Sequence, residues 1–575
     1  MVLICAFPFF IKNKHSMTKR FLSAVLLTLA VCPFNAAEIF TGYDIDAIVA
    51  KMSLEQKARL LVGSEGKNDG LSHIVPGAAG WTYEIPALGI PSINLADGPV
   101  GVRINPVPSH NVKTEYDSQG LPMTSSSSSD IQDDGSRSFC TCFPSTTALA
   151  ATWDVNAAAL QGKCMADEAK AYGVDIVLAP GINIMRNPLC GRNFEYFSED
   201  PMLTGKLAAH LIRAIQKNEI GTSLKHFVAN NQQTGKKVND ARITQRALRE
   251  IYLKGFEICV KEADPWTVMG SYNKIAGQFT QTSMELMQRL LRDEWGYNGL
   301  VLTDWTVRRP TVDLINARCS LIMPGDEEIV NEIIEAVNNG KLSMEAVDAC
   351  VKDVLGIVAK SITAKGWQAS RPNLEYNAEA SRKIATEAMV LLKNEKQSLP
   401  LKQGAKIALF GVTAYKSIAG GTGSSNVNKP YITDISTGLE NAGYPINSRL
   451  AEIYKKYADF RTAFDDKFPD CPDWQKISYH RTVAPEMDLT GKEALISEEL
   501  EKSDVAVVVL GRGSGETSDR SIENDFNLTA EELSMINKVG AACRKQDKKM
   551  IVVMNVCGMM ETDSWKWNAD GILMA

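Results

Sequence analysis

The chain has 575 residues, 45% hydrophobic, 23% charged and 7% aromatic, the balance of a globular protein rather than a disordered or fibrous one. That length predicts more than one hydrophobic core. A formal net charge of -6 argues against nucleic acid or anionic membrane as partners, since both need clustered Lys and Arg, and suits a neutral ligand.

Taken in chain order, the first signal is at the N-terminus. After Met17 come Lys19 and Arg20, an apolar run over 21–32 and the small residues Ala36 and Ala37. This is the pattern of a signal peptide, predicting a leader over 1–37 and a secreted or periplasmic protein. The run is too short for a permanent membrane span. From 38 to 365, short apolar runs at 93–95, 175–178, 223–224, 267–270 and 300–302 alternate with helical patterns such as 155–172, 244–263 and 285–294. Alternation of this kind predicts a parallel sheet, here a (β/α)8 TIM-like barrel. A polar insertion at 114–138, with a serine run, reads as a loop. Residues 366–383 read as a linker. A second α/β pattern over 384–575 has buried strands at 406–410, 505–510 and 550–554, and the chain stops inside a further apolar run, 571–575. The expectation is an α/β sandwich domain that is C-terminally truncated. Twelve cysteines include no CxxC pair; Cys164, Cys259, Cys350 and Cys543 sit on apolar helical faces and read as buried thiols.

Five apolar runs finish in charged or hydrogen-bonding residues. They lead to Asp97 and Arg103, to Arg186, Arg192 and Glu195, to Lys225 and His226, to Ser271, Tyr272 and Asn273, and to Asp304 and Trp305. One such ending is usually a cap or a core ion pair, and His226 alone would read as a satisfied core histidine. Five on one expected face need a ligand, because buried charges are costly without partners. Donors and acceptors in a ring, with Trp305 to cover an apolar face, suit a sugar; no metal or cofactor is required. Glycoside hydrolysis needs one ionised and one protonated carboxyl group. Asp304 is the candidate nucleophile, with Lys225 and the arginines expected to keep it charged. On residue chemistry alone Glu516, in Gly513-Ser514-Gly515-Glu516-Thr517-Ser518-Asp519-Arg520, reads as an exposed loop carboxylate.

Several motifs together resemble glycoside hydrolase family 3, of the β-glucosidase and β-xylosidase type. They are Leu95-Ala96-Asp97-Gly98-Pro99, Gly191-Arg192-Asn193-Phe194-Glu195-Tyr196, Lys225-His226-Phe227-Val228-Ala229-Asn230-Asn231, Ser271-Tyr272-Asn273 and Thr303-Asp304-Trp305. The resemblance implies that Asp304 is the nucleophile of a retaining reaction through a covalent glycosyl-enzyme. It implies that Asp97, Arg103, Arg192, Lys225, His226, Lys236, Tyr272 and Trp305 line the subsite of the non-reducing sugar. It also assigns the acid/base to Glu516 on the second domain, and a sugar contact to Ser424 in the loop Gly420-Gly421-Thr422-Gly423-Ser424. A phosphate cradle is the rival reading of that loop, but no Lys-Ser/Thr follows it.

The chain departs from the family pattern in places. Lys236 stands where Arg is common, and Thr517 where Gly is. Met185 stands where His is common, and 307–310 and 317–320 lack the usual Gly and Asp. The bacterial N-acetylglucosaminidase branch, which follows Lys-His-Phe with a Gly- and His-containing loop, does not fit. The expected activity is an exo-acting β-glucosidase on small or oligosaccharide β-glycosides. The alternatives are a β-xylosidase or other β-glycosidase of the family, and an inactive glycan-binding homologue. Oligomeric state has no signal.

Overall fold

The structure, a computed structural model, describes residues 44–65, 75, 77–105, 115–116, 122–123, 138–465, 484–516 and 518–575. The leader, the serine run of the 114–138 insertion and Thr517 lie outside them.

The first sheet contains β1 (Gly80–Trp81), β2 (Asn94–Asp97), β3 (Ile176–Leu178), β4 (Gly221–Phe227), β5 (Thr267–Gly270) and β6 (Leu300–Leu302), in that spatial order. β2 to β6 run parallel. β3 to β6 are buried along their whole length, which is why they read as apolar runs rather than alternations. Helices α1 (Val155–Tyr172), α2 (Pro201–Lys217) and α3 (Lys254–Ala263) connect and cover them. Local chemistry sets the ends of α1. The Asp154 carboxylate accepts the Asn156 N–H at its start, and Gly173 closes it in the left-handed conformation, φ 85°, where a Cβ would be strained. At α2, Asp200 caps and Pro201 fills the first turn, where its missing N–H costs nothing.

Eight parallel strands were the expectation, and the sheet differs. β1 is antiparallel to β2, because the 82–93 connection folds back through a turn at Pro86–Leu88 closed by the Ile85–Ile90 pair; a crossover helix would be needed to keep it parallel. Beyond β6, among the described residues, single bridges continue the pairing: Leu302 with Leu321, Val62 with Ile322, and Ser64 with Trp81. The helical pattern over 244–263 is also interrupted, by a π turn at Leu248–Tyr252 ahead of α3, and Glu285–Glu294 is π-helical throughout.

The second sheet has the order β7 (Val390–Asn394), β11 (Gly571–Met574), β10 (Lys549–Val556), β9 (Val505–Arg512), β8 (Ile407–Phe410). β8 to β11 are parallel, and β7 is antiparallel to β11. The run at 571–575 is therefore a strand paired on both sides. Among the described residues the two large hydrophobic cores lie one around each sheet, and Met185, Cys190 and Tyr196 form a small third cluster. The expected linker at 366–383 is irregular only as far as Asn373. From there α4 (Leu374–Ala388) buries Ala380 and Ile384 in the first core, an i, i+4 apolar pair hidden by its many charged neighbours. Cys164, Cys259, Cys350 and Cys543 are free and buried.

Burial carries a pH consequence in the second core. Glu486 accepts the Val412 N–H at 3.0 Å, and burial raises its carboxyl to about 7 from an ordinary 4.5. A carboxyl raised on folding contributes stability that is full below the unfolded value and is lost as pH rises through the folded one. Going from pH 5 to pH 8 should therefore cost the protein on the order of 2 kcal/mol through this group, and Glu486→Gln should remove that share of the slope. Urea unfolding of both proteins at the two pH values measures it; parallel profiles would rule out the assignment.

Candidate active site

In open parallel sheets, side chains at the carboxyl ends of the strands are free to face a ligand. Asp97 ends β2, Lys225 and His226 fall within β4, Tyr272 follows β5, and Asp304 and Trp305 follow β6. Arg192 and Lys236 come from the loops after β3 and β4. Arg186, also flagged at a strand end, is exposed.

Asp304 is 5% exposed. Its Oδ1 accepts the Trp305 N–H at 2.7 Å. Its Oδ2 is buried, has no hydrogen-bond partner and lies 3.8 Å from His226 Nε2. The His226 ring is held from behind: Nδ1 is 3.3 Å from both Tyr196 Oη and Asn183 Oδ1. Asn183 also accepts the His226 N–H and donates to its carbonyl, each at 2.9 Å. Burial, reinforced by Arg192, Lys225 and Lys236, pushes His226 well below its usual range, so the ring is neutral. Tyr272 donates its hydroxyl to the Trp305 carbonyl at 3.1 Å, Lys236 Nζ lies 4.5 Å from the Tyr272 ring centre, and the Trp305 indole donates to Ala79 O at 3.0 Å. Asp97 pairs with Arg103 at 3.1 Å.

Glu516 enters from the other sheet, on the loop after β9. Far from exposed, its side chain is 19% accessible and pairs with Arg192 at 3.2 Å and Lys236 at 3.9 Å. Ser424, from the loop after β8, donates its hydroxyl to the same carboxylate. Arg192 also pairs with the fully buried Glu195, and Ser425 donates to Glu195 at 2.9 Å. Two adjacent hydroxyls of one loop thus serve the two carboxylates that flank Arg192.

The charge balance matches the expectation for Arg192 and differs for Lys225. Burial raises Asp304, and Arg192 and Lys236, not Lys225, are the main cations opposing it. Lys225 acts instead on Asp97, which burial also raises, and on Glu516. For Glu516, burial pushes upward, but Arg192, Lys236, the Ser424 hydrogen bond and Lys225 outweigh it and hold the carboxyl at about 2.

The departures at 307–310 and 317–320 have structural work. Arg318, with Arg292 and Ser320, converges on the buried Asp353 at 2.7–3.1 Å. Arg308 pairs with Asp326, Glu328 and Glu332. Arg309 stacks on Phe279 at 3.6 Å and donates to Tyr272 O at 2.9 Å. Asn183 and Ser425 were not singled out from sequence; a short polar residue beside a flagged motif is the only signal either gives.

Two α/β sheets whose loops meet over a cleft of carboxylates and cations define a two-domain architecture with one composite site. The sequence profile of the glycosyl hydrolase family 3 N terminal domain matches residues 127–357, and that of the family's C-terminal domain matches 389–575. β-Glucosidase 3B from Thermotoga neapolitana, solved in complex with α-D-glucose, is 37% identical with a TM-score of 0.83, over 92% of this chain and 71% of that one. Thermostable β-glucosidase B of Acetivibrio thermocellus is 37% identical over 405 residues, 70% of this chain and 49% of the relative. An exo-α-(1→6)-L-arabinopyranosidase of Bifidobacterium longum is 31% identical over 535 residues, 91% of this chain and 62% of the relative. The chain belongs to glycosyl hydrolase family 3. It spans about half the length of the curated β-glucosidases it matches. Among the described residues no helix is long and apolar enough to cross a membrane.

Proposed function

We propose that the protein is a retaining, exo-acting β-glucosidase that removes terminal non-reducing β-D-glucosyl residues. The observation that carries the reading is the pair of carboxylates from different sheets in one cleft: Asp304 with an unengaged Oδ2, and Glu516 tied to Arg192, Lys236 and Ser424. In the first step Asp304 attacks the anomeric carbon, the bond to the aglycone oxygen breaks, and Glu516 protonates that oxygen. In the second, Glu516 takes a proton from water, which displaces Asp304, so two inversions retain the β configuration. Burial raises Asp304, whereas Arg192, Lys236 and the Ser424 hydrogen bond hold Glu516 low. The acid step needs the proton on Glu516 before the glycosidic bond breaks, so substrate binding has to raise Glu516 against those cations. Asp97 and Arg103, with Lys225, His226, Tyr272 and Trp305, bind the sugar hydroxyls and ring. In this reading the bridges beyond β6 close the first sheet into a barrel, and the leader exports the enzyme.

Glucose preference is supported by the glucose complex of the Thermotoga protein; the arabinopyranosidase relative supports a pentopyranoside as the second reading. Kinetics on p-nitrophenyl β-D-glucoside, β-D-xyloside and α-L-arabinopyranoside separate them. The glucoside should lead in kcat/KM by about tenfold or more, the discrimination one ring substituent supplies. A leading pentoside would overturn glucose preference, and binding without turnover of all three would mark an inactive homologue.

A further inference from the structure

Asp519 lies three residues after Glu516, on the same loop of the second sheet, yet all its hydrogen bonds cross to the first. Its Oδ1 accepts the backbone N–H of Gly191 at 3.2 Å and of Gln233 at 2.8 Å, and its Oδ2 accepts that of Thr234 at 2.9 Å. Gly191 immediately precedes Arg192, and Thr234 comes two residues before Lys236. One carboxylate therefore holds both loops that deliver the cations flanking Glu516. Neighbouring contacts fix the same junction. Ser514 donates its hydroxyl to Gly191 O at 2.6 Å, and Arg520 N–H donates to Leu189 O at 2.7 Å. Gly191 sits so close that a Cβ there would overlap the carbonyl oxygens of Ser518 and Gly515.

We infer that Asp519 is a positioning residue for acid catalysis: it sets the Arg192–Glu516–Lys236 arrangement across the junction and so determines how well Glu516 delivers its proton, without itself touching substrate. A carboxylate accepting three backbone N–H groups is a strong, directional anchor. The cations it places sit 3.2 and 3.9 Å from Glu516, distances over which a shift of an ångström changes the local field substantially. Glu516 pairs with the Arg192 and Lys236 side chains themselves, but among the described residues of this loop it is Asp519 that accepts backbone N–H groups from both the 189–192 and the 233–236 segments.

The inference rests on the β-glucosidase reading, so its test has two arms. Asp519→Ala and Asp519→Asn are compared with the wild type on 2,4-dinitrophenyl β-glucoside, whose leaving group needs no acid, and on phenyl β-glucoside, whose leaving group does. For Asp519→Ala, kcat/KM on the phenyl substrate should fall about a hundredfold, the scale of general acid assistance, while kcat/KM on the dinitrophenyl substrate stays within about threefold of wild type. The alkaline limb of the pH profile should move as well. Asp519→Asn, which keeps one accepting oxygen, should fall between. The second arm is hydrogen exchange at the amides of Gly191, Gln233 and Thr234, which should speed up in Asp519→Ala. Unchanged exchange would overturn the anchor. Faster exchange with equal losses on both substrates would overturn the acid-specific role and leave a purely structural one. A wild type that turns over neither glucoside would instead refute the proposed activity, and the exchange arm would still decide whether Asp519 anchors the junction.

Discussion

Asp304→Asn should reduce kcat/KM on every glucoside by about 10⁴-fold or more, the range seen when an enzyme loses its nucleophile or a member of its catalytic unit, while glucose binding survives. The amide keeps the oxygen that accepts the Trp305 N–H but cannot form the glycosyl ester. The site around it is built by other side chains. His226 is fixed by Asn183 and Tyr196, Tyr272 by the Trp305 carbonyl, and Asp97 by Arg103. Folding should be unaffected, because Asp304 Oδ2 has no hydrogen bond to lose and burial already disfavours its charge. Steady-state kinetics with freshly purified protein, glucose titration calorimetry and thermal unfolding give the three readouts. Retention of near-normal rates would show that another group attacks the sugar.

Glu516→Gln should give a different signature. Hydrolysis of substrates with poor leaving groups should fall about 10³-fold, while kcat/KM on dinitrophenyl glucoside stays close to wild type, because only the former need a proton in the first transition state. kcat on the activated substrate should drop nevertheless, since the second step lacks its base and the glycosyl-enzyme accumulates. Pre-steady-state bursts on the dinitrophenyl substrate would reveal that accumulation. The alkaline limb of the pH profile should vanish with the carboxyl group. Gln can still accept the Ser424 hydroxyl, so the loop after β8 keeps its anchor; what it loses is the charge that Arg192 and Lys236 attract. A uniform loss across leaving groups would assign Glu516 to binding rather than proton transfer.

Much of this is legible in residue order alone. The runs at 267–270 and 300–302 and the helix at 155–172 have the bounds read from pattern, because apolar runs and a cap pair such as Asp154 and Gly173 are local signals. Asp304 was legible for the same reason: it is a carboxylate at the end of a buried apolar strand. Less local features misled. The antiparallel β1 depends on a turn rather than on its two residues, and the 374–383 part of α4 reads as linker because its few apolar positions are outnumbered by charged ones until they meet a core.

Charge state and partnership were decided by the tertiary structure. Residue chemistry alone made Glu516 an exposed carboxylate and gave Lys225, with the arginines, the task of keeping Asp304 charged. The folded chain half-buries Glu516, brings Arg192, Lys236 and Ser424 to it from three separate loops, and sets Lys225 to act on Asp97 and Glu516 instead. Electrostatic energy depends on distance and on exclusion of water, and neither is written in residue order. The sequence by itself determined which residues are chemically able to act. Which of them share a field, and that Asp519 stakes both cation-bearing loops to the Glu516 loop, follows only from packing two sheets so that their loops meet over one cleft.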